Sequence, residues 1–152
     1  FGNPCDMTAL RDIADRHGLQ VIEDGAQSFG ASRRGRMCGS FGALSCFSMN
    51  PMKVFNGYGE AGAIVTDDAA LRDRLVSLRY GGTVDKQDCH WPSLNGRLDT
   101  IQAAMLLVSL RHLPEKIARR RALADATAGL ELSAHRRGSL GSGSLGGEHA
   151  GE

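Results

Sequence analysis

An α/β domain with a mostly parallel sheet flanked by helices is the fold this sequence predicts. Three observations carry it: an amphipathic helical stretch followed at once by a short apolar run ending in acids, two further apolar runs of strand length, and later helical stretches. In "MTALRDIADRHG", Leu10, Ile13 and Ala14 share one helical face, Asp6 or Thr8 can cap the start, and Gly18 sits at the stop. "LQVIEDG" then reads as a strand whose acids fall at its carboxyl end, where open α/β sheets place their ligand sites. Residues Ala31 to Ser40 read as a basic loop, and "GALSCFSM" as a buried strand. The segment up to Gly62 is irregular, "AIVTDD" is a strand with β-branched residues, and Asp67 or Asp68 caps the helix "AALRDRLVSLRYGG", which Gly81 and Gly82 end. A polar loop with Trp91 and Pro92 leads to a helix from Ile101 to Leu110 that is apolar almost all round, as a buried or interface helix is. Pro114 breaks or restarts it, and a second helix follows to about Leu130.

A chain of 152 residues is about the size of one domain. Its formal net charge of +1 supplies no global field for nucleic acid or an anionic membrane surface, and no apolar run is long enough to cross a bilayer. Neither partner is expected, so partners must be argued from local sites. Cys5, Cys38, Cys46 and Cys89 lack metal-ligand spacing, which predicts free thiols in a reducing cytoplasm and no metal. The opening "FGNPCDM" reads like the middle of a loop, as in a fragment of a longer protein. From Ser133 onward glycine and serine dominate, and a disordered tail is expected because so little apolar surface is available for burial.

One stretch raises a choice. "GYGEAG", Gly57 to Gly62, fits the dinucleotide pattern G-x-G-x-x-G, and Lys53, one of three lysines among 18 basic residues, lies just ahead of it. A dinucleotide loop needs a strand before the glycines and a helix opening at the third. Here the glycines follow an irregular segment and precede a strand, and a phosphate loop fails too because the lysine comes first. The glycines are better explained as backbone that approaches something closely, or adopts positive φ, beside a reactive side chain. Pro51, Met52, Val54 and Phe55 flank Lys53, an apolar setting that favours a free amine of the kind imine chemistry requires. A solvated lysine with its stem on apolar neighbours is the alternative.

Asp24 shifts that balance. A pyridoxal phosphate enzyme needs a lysine to hold the aldehyde as an imine and an acid to keep the ring nitrogen protonated. Asp24, at a strand end, is placed for the second role, although a helix cap or surface ion pair would also explain it. Gln27 could pack on the ring or be a solvated loop residue. Ser48, five residues before the lysine, could bind a phosphate or be satisfied by backbone.

"VIEDGAQSFGA", "FSMNPMKVFNGYGEAGAIVTDD" and "NGRLDTIQAAMLLVSL" together resemble three successive blocks of the DegT/DnrJ/StrS family of sugar aminotransferases, over about Phe1 to Leu130. The resemblance implies the aspartate aminotransferase fold, pyridoxal 5'-phosphate as cofactor, and homodimers with sites at the subunit boundary. By position it assigns Asp24 to the pyridine nitrogen, Gln27 to the cofactor ring, Ser48 to the phosphate and Lys53 to the internal imine. Asn95 would reach the phosphate of the neighbouring subunit. The implied reaction moves an amino group from an amino acid, most often glutamate, to a nucleotide-linked keto sugar, for polysaccharide or amino-sugar biosynthesis.

Residues 1–112 would then be part of the cofactor-binding large domain, 113–130 a helix leading toward a small domain, and 131–152 the tail. "GRLDTIQAA" is closer to the branch acting on sugars with acidic or acylamino substituents than to the antibiotic-sugar branch. Gly25, where many members have alanine, and Ala61, where many have glycine, are departures expected to leave the site chemistry alone. Two other readings stay open: a sugar dehydratase of the same family, in which histidine typically replaces the lysine, and a non-catalytic fragment that keeps the fold.

Overall fold

The computed structural model describes residues 2–139, and the chain divides into two compact units at Leu113 and Pro114. In the first unit, α1 (Met7–Arg16) precedes β1 (Ile22–Asp24). The hairpin β2 (Ser32–Arg33) and β3 (Arg36–Met37) follows, then β4 (Leu44–Ser48), β5 (Gly62–Val65) and α2 (Ala69–Arg79). A second hairpin, β6 (Thr83–Val84) and β7 (Asp88–Cys89), leads to α3 (Thr100–Arg111). In the second unit, α4 (Leu113–Ser139) runs on past 131, where the tail was expected to begin. "ELSAHRR" contains no helix breaker, so these residues extend the helix. The rest of the expected tail, 140–152, lies outside the described residues.

The main sheet has the order β1-β4-β5. Its first pairing is parallel, Ile22 to Leu44 through Asp24 to Cys46, and its second is antiparallel, Ser45 to Val65 through Ser48 to Gly62. The described sheet is therefore mixed, and the irregular connection between β4 and β5 returns the chain without a crossover helix. Alternation along β1 and β4 sends Glu23 and Ser45 into the buried face, while Ile22, Asp24 and Cys46 are exposed on the other.

Asp6 caps α1 by accepting the Ala9 N–H, and its carboxylate also meets Arg33 at 3.2 Å and Arg34 at 3.5 Å. The Ala9 amide, then the two guanidiniums, outweigh desolvation and hold the Asp6 carboxyl below its ordinary value of 3.8. Since the folded state lowers this pKa, the associated stability is complete above about pH 4 and is lost as pH falls through the lowered value. Asp6→Asn should thus sit below the parent at pH 7 in thermal unfolding and close much of that gap at pH 3. An equal gap at both pH values would refute the linkage.

The face expected to bury α1 is only partly covered. Met7 and Ala14 are buried, whereas Leu10 and Ile13 are about half exposed, because the described residues place no element over them. Likewise α3 buries only Leu106, with Ile101 75% and Leu107 62% exposed, so it is not buried within the described chain. No helix among the described residues is long and apolar enough to cross a membrane.

Two hairpins stand where loops were expected. Between Ala31 and Ser40, Arg34 and Gly35 both take positive φ, 51° and 77°, as a type I′ turn requires, and β2 pairs with β3. Arginine at the first turn position gave no turn signal. The β6–β7 hairpin turns through Asp85 and Lys86, also at positive φ, and folds back so closely that a Cβ on Gly82 would lie 1.7 Å from the Trp91 carbonyl oxygen. Glycine is required there by space as well as by its φ of +73°.

Candidate active site

The register of the sheet assembles the candidate site. Asp24 ends β1 and Ser48 ends β4; Asp24 pairs with Cys46, and Ser48 follows Cys46 by two residues. Both side chains therefore project on the same face, at the carboxyl end of two parallel strands, about 7 Å apart along the strand direction. That end of a parallel pair is where α/β sheets hold ligands. The Asp24 carboxylate is oriented by a hydrogen bond, Oδ1 accepting the Ala26 N–H at 3.0 Å, and the side chain remains exposed. Ser48 Oγ accepts a long hydrogen bond from the Asn50 N–H, which leaves its own proton free to donate. Gln27 is exposed in the turn that follows Asp24.

Lys53 lies in a turn just beyond Ser48, half-buried, with its N–H donated to the Asn50 carbonyl at 2.9 Å. The apolar setting expected around it is only half realised. Phe55 is buried and packs on Phe29, which in turn meets Phe47 of β4 edge-on at 5.0 Å, but Met52 is 87% exposed at the tip of the turn. Asn50 organises this turn: its Oδ1 accepts the Met52 N–H and its Nδ2 donates to Glu60 at 2.7 Å. The asparagine–proline pair at 50 and 51 is the local turn signal for it.

Of the two jobs expected of the glycine run, close approach is the one it has, and what approaches is Gln102. None of Gly57, Gly59 and Gly62 takes positive φ. Instead the Gln102 carboxamide from α3 lies against the loop, accepting the Tyr58 N–H at 3.0 Å, and a Cβ on Gly59 would come within 2.4 Å of its Nε2. The close approach is to a side chain of the same unit. Tyr58, Asp99, Thr100, Ile101, Gln102 and Met105 line a cleft of about 510 Å³ beside it.

Beneath Asp24, Glu23 is 8% exposed and receives three backbone N–H groups, with Oε2 accepting from Gly39 and Oε1 from Phe41 and Gly42. Ser45, fully buried, donates to the Glu23 carbonyl. This clamp ties the strand carrying Asp24 to the loop that enters β4. Adjacent acids on a strand must face opposite sides, so one of Glu23 and Asp24 had to be buried and supplied with donors, a signal present in "IED" itself. Nearby, burial pushes the Cys38 thiol above its ordinary range, against a hydrogen bond with Ser28 that lowers it.

Asn95 belongs to another piece of backbone, bridged to Tyr80. Its Oδ1 accepts from the Arg97 N–H at 3.4 Å and Arg97 Nε at 3.0 Å, and it shares no hydrogen bond with Asp24, Ser48 or Lys53 among the described residues.

The described sheet and helices are part of the large domain of a pyridoxal phosphate-dependent aminotransferase fold, with an acid and a hydroxyl at adjacent strand ends and a lysine in the turn that follows. The DegT/DnrJ/EryC1/StrS aminotransferase family matches residues 1–132, and the chain belongs to that family. It is 45% identical over 124 residues to a dTDP-3-amino-3,4,6-trideoxy-alpha-D-glucose transaminase of Streptomyces venezuelae, covering 82% of this chain and 33% of the relative. A UDP-2-acetamido-2-deoxy-3-oxo-D-glucuronate aminotransferase of Pseudomonas aeruginosa is 38% identical over 82% of this chain and 34% of its own length. The crystal structure of S. venezuelae DesV, in complex with a ketimine intermediate, superposes with a TM-score of 0.78 at 45% identity, over 82% of this chain and 34% of that one. The chain thus spans about a third of the length of these relatives. Relatives of both kinds, the trideoxy-sugar enzyme and the acetamido-glucuronate enzyme, thus match this chain.

Proposed function

We propose that this chain carries the cofactor-binding core of an aminotransferase that transfers an amino group from an amino acid, glutamate by preference, to a nucleotide-linked keto sugar. The observation that carries the reading is the shared register of Asp24 and Ser48, followed by the Lys53 turn. The donor set fits pyridoxal 5'-phosphate: a carboxylate for a ring nitrogen, a hydroxyl for a phosphate and a primary amine for an aldehyde. When bound, the cofactor supplies an electron-withdrawing ring and a carbon that takes up the amino group.

The residues do the rest. Asp24, oriented by the Ala26 N–H, keeps a proton on the ring nitrogen with its second carboxylate oxygen. Ser48, its lone pair engaged by the Asn50 N–H, donates its hydroxyl proton to the phosphate. Gln27 covers the ring from the turn after β1. With the cofactor bound, Lys53 Nζ would take up the proton from the donor's α-carbon and give it back, as general base and then general acid. Asn95 serves the phosphate of a neighbouring subunit in a homodimer, and the exposed apolar residues of α3 support such an association surface. A cytoplasmic location accords with four free thiols.

Borohydride reduction of the chain in the presence of pyridoxal phosphate, followed by peptide mass mapping, tests the assignment. A phosphopyridoxyl group should appear on the Lys53 peptide and vanish in Lys53→Ala. Equal labelling of Lys53, Lys86 and Lys116 would count against it.

A further inference from the structure

The surroundings of Asn95 contain a feature that the proposed reaction does not use. A carboxamide presents an acceptor on one side and two donors on the other, and free rotation would offer either to a ligand. Here the acceptor is occupied. Asn95 Oδ1 receives both the Arg97 backbone N–H and Arg97 Nε–H, at 3.4 and 3.0 Å, while Nδ2 makes no hydrogen bond among the described residues. The Arg97 guanidinium is itself held, lying over the Tyr80 ring at 4.6 Å from its centroid, and Tyr80 is the residue whose backbone bridges Asn95. Lys86 Nζ stands 5.9 Å from the same ring, adding a second cation to this surface. Ring, guanidinium and bridge form a closed circuit that fixes one carboxamide orientation.

We propose that Arg97 is a positioning residue for Asn95: it holds Oδ1 on its own N–H groups so that the Nδ2 protons are left as donors to a phosphate group. The inference rests on the reading that Asn95 meets a phosphate. Its geometry depends on the planar fork of arginine, because lysine keeps the charge and can lie over Tyr80 but has no Nε–H beside its own backbone N–H. Charge alone and positioning therefore give different results for one conservative substitution.

The test uses the full chain, labelled with ¹⁵N, and inorganic phosphate as the probe. In the parent, the Asn95 side-chain amide signals should move on phosphate addition. Arg97→Lys should shift those signals in the absence of phosphate and weaken phosphate binding roughly tenfold, the scale of one hydrogen bond to a charged group. Asn95→Ala should weaken it as much. Arg74→Ala removes a comparable stack, on Trp91, without touching Asn95, and should bind phosphate like the parent. Arg97→Lys at parent affinity, with Asn95→Ala weakened, overturns the positioning role alone. Asn95→Ala at parent affinity overturns the reading of Asn95 on which it rests, whatever Arg97→Lys does.

Discussion

Glu23→Ala is expected to lower the unfolding free energy of this chain by about 3 kcal/mol or more, since each buried N–H left without an acceptor costs roughly 1–3 kcal/mol. Three such groups, on Gly39, Phe41 and Gly42, depend on this carboxylate. Because the Gly39 and Gly42 bonds are only part-buried, water can replace some of the loss, so a simple sum overstates the effect. Glu23→Gln should fall between Ala and the parent. An amide oxygen can still accept two of the three donors, but the NH₂ group then opposes the third N–H. Asp24→Asn, one residue away but exposed, should change stability by no more than about 0.5 kcal/mol. Urea unfolding midpoints of the three variants decide the matter, and Glu23→Gln at the parent midpoint would remove the clamp from consideration.

The second large effect is expected for Gly25→Ala, a change expected to leave the site chemistry alone but not the packing. A Cβ there would lie 2.6 Å from Phe47 Cε1 and 3.1 Å from the Cys46 carbonyl oxygen. The ring cannot simply withdraw, because a Cβ on Gly39 would meet its Cζ at 2.4 Å, and Phe29 packs against it edge-on. Overpacking of this kind costs about 1–3 kcal/mol. Phe47→Ala alone should cost about 3 kcal/mol for the lost contacts and the space left behind. In the double variant the new methyl group enters that space, so the two losses should fall short of additivity by about 1 kcal/mol or more. Strict additivity would mean that Gly25 is required for some reason other than the ring. The small residue after the candidate acid is thus part of how β1 is packed on β4, in register with Ser48.

Much of this site was legible from the sequence because its signals are local. The acids at the end of a short apolar run, the caps Asp6 and Asp68, the glycine pair after α2 and the isolated lysine each follow from residue chemistry within a few positions. What stayed hidden depends on residues far apart in the chain. Whether Glu23 or Asp24 faces the core is a matter of which side of the sheet is covered. The glycine run is explained by Gln102, 43 residues beyond Gly59, which nothing in "GYGEAG" could announce. The hairpin at Arg34 and Gly35 escaped because arginine rarely takes positive φ.

By itself the sequence determined the alternation of helices and strands, the residue types able to hold a phosphorylated aldehyde cofactor, and the family blocks that name them. Tertiary structure alone decided that Asp24 and Ser48 share one face and one end of a parallel pair, that Glu23 is the buried clamp beneath them, and that Gly25 is fixed by Phe47. The physical reason is that residue chemistry is carried along the chain, whereas register, burial and close approach are set only when strands distant in sequence pair.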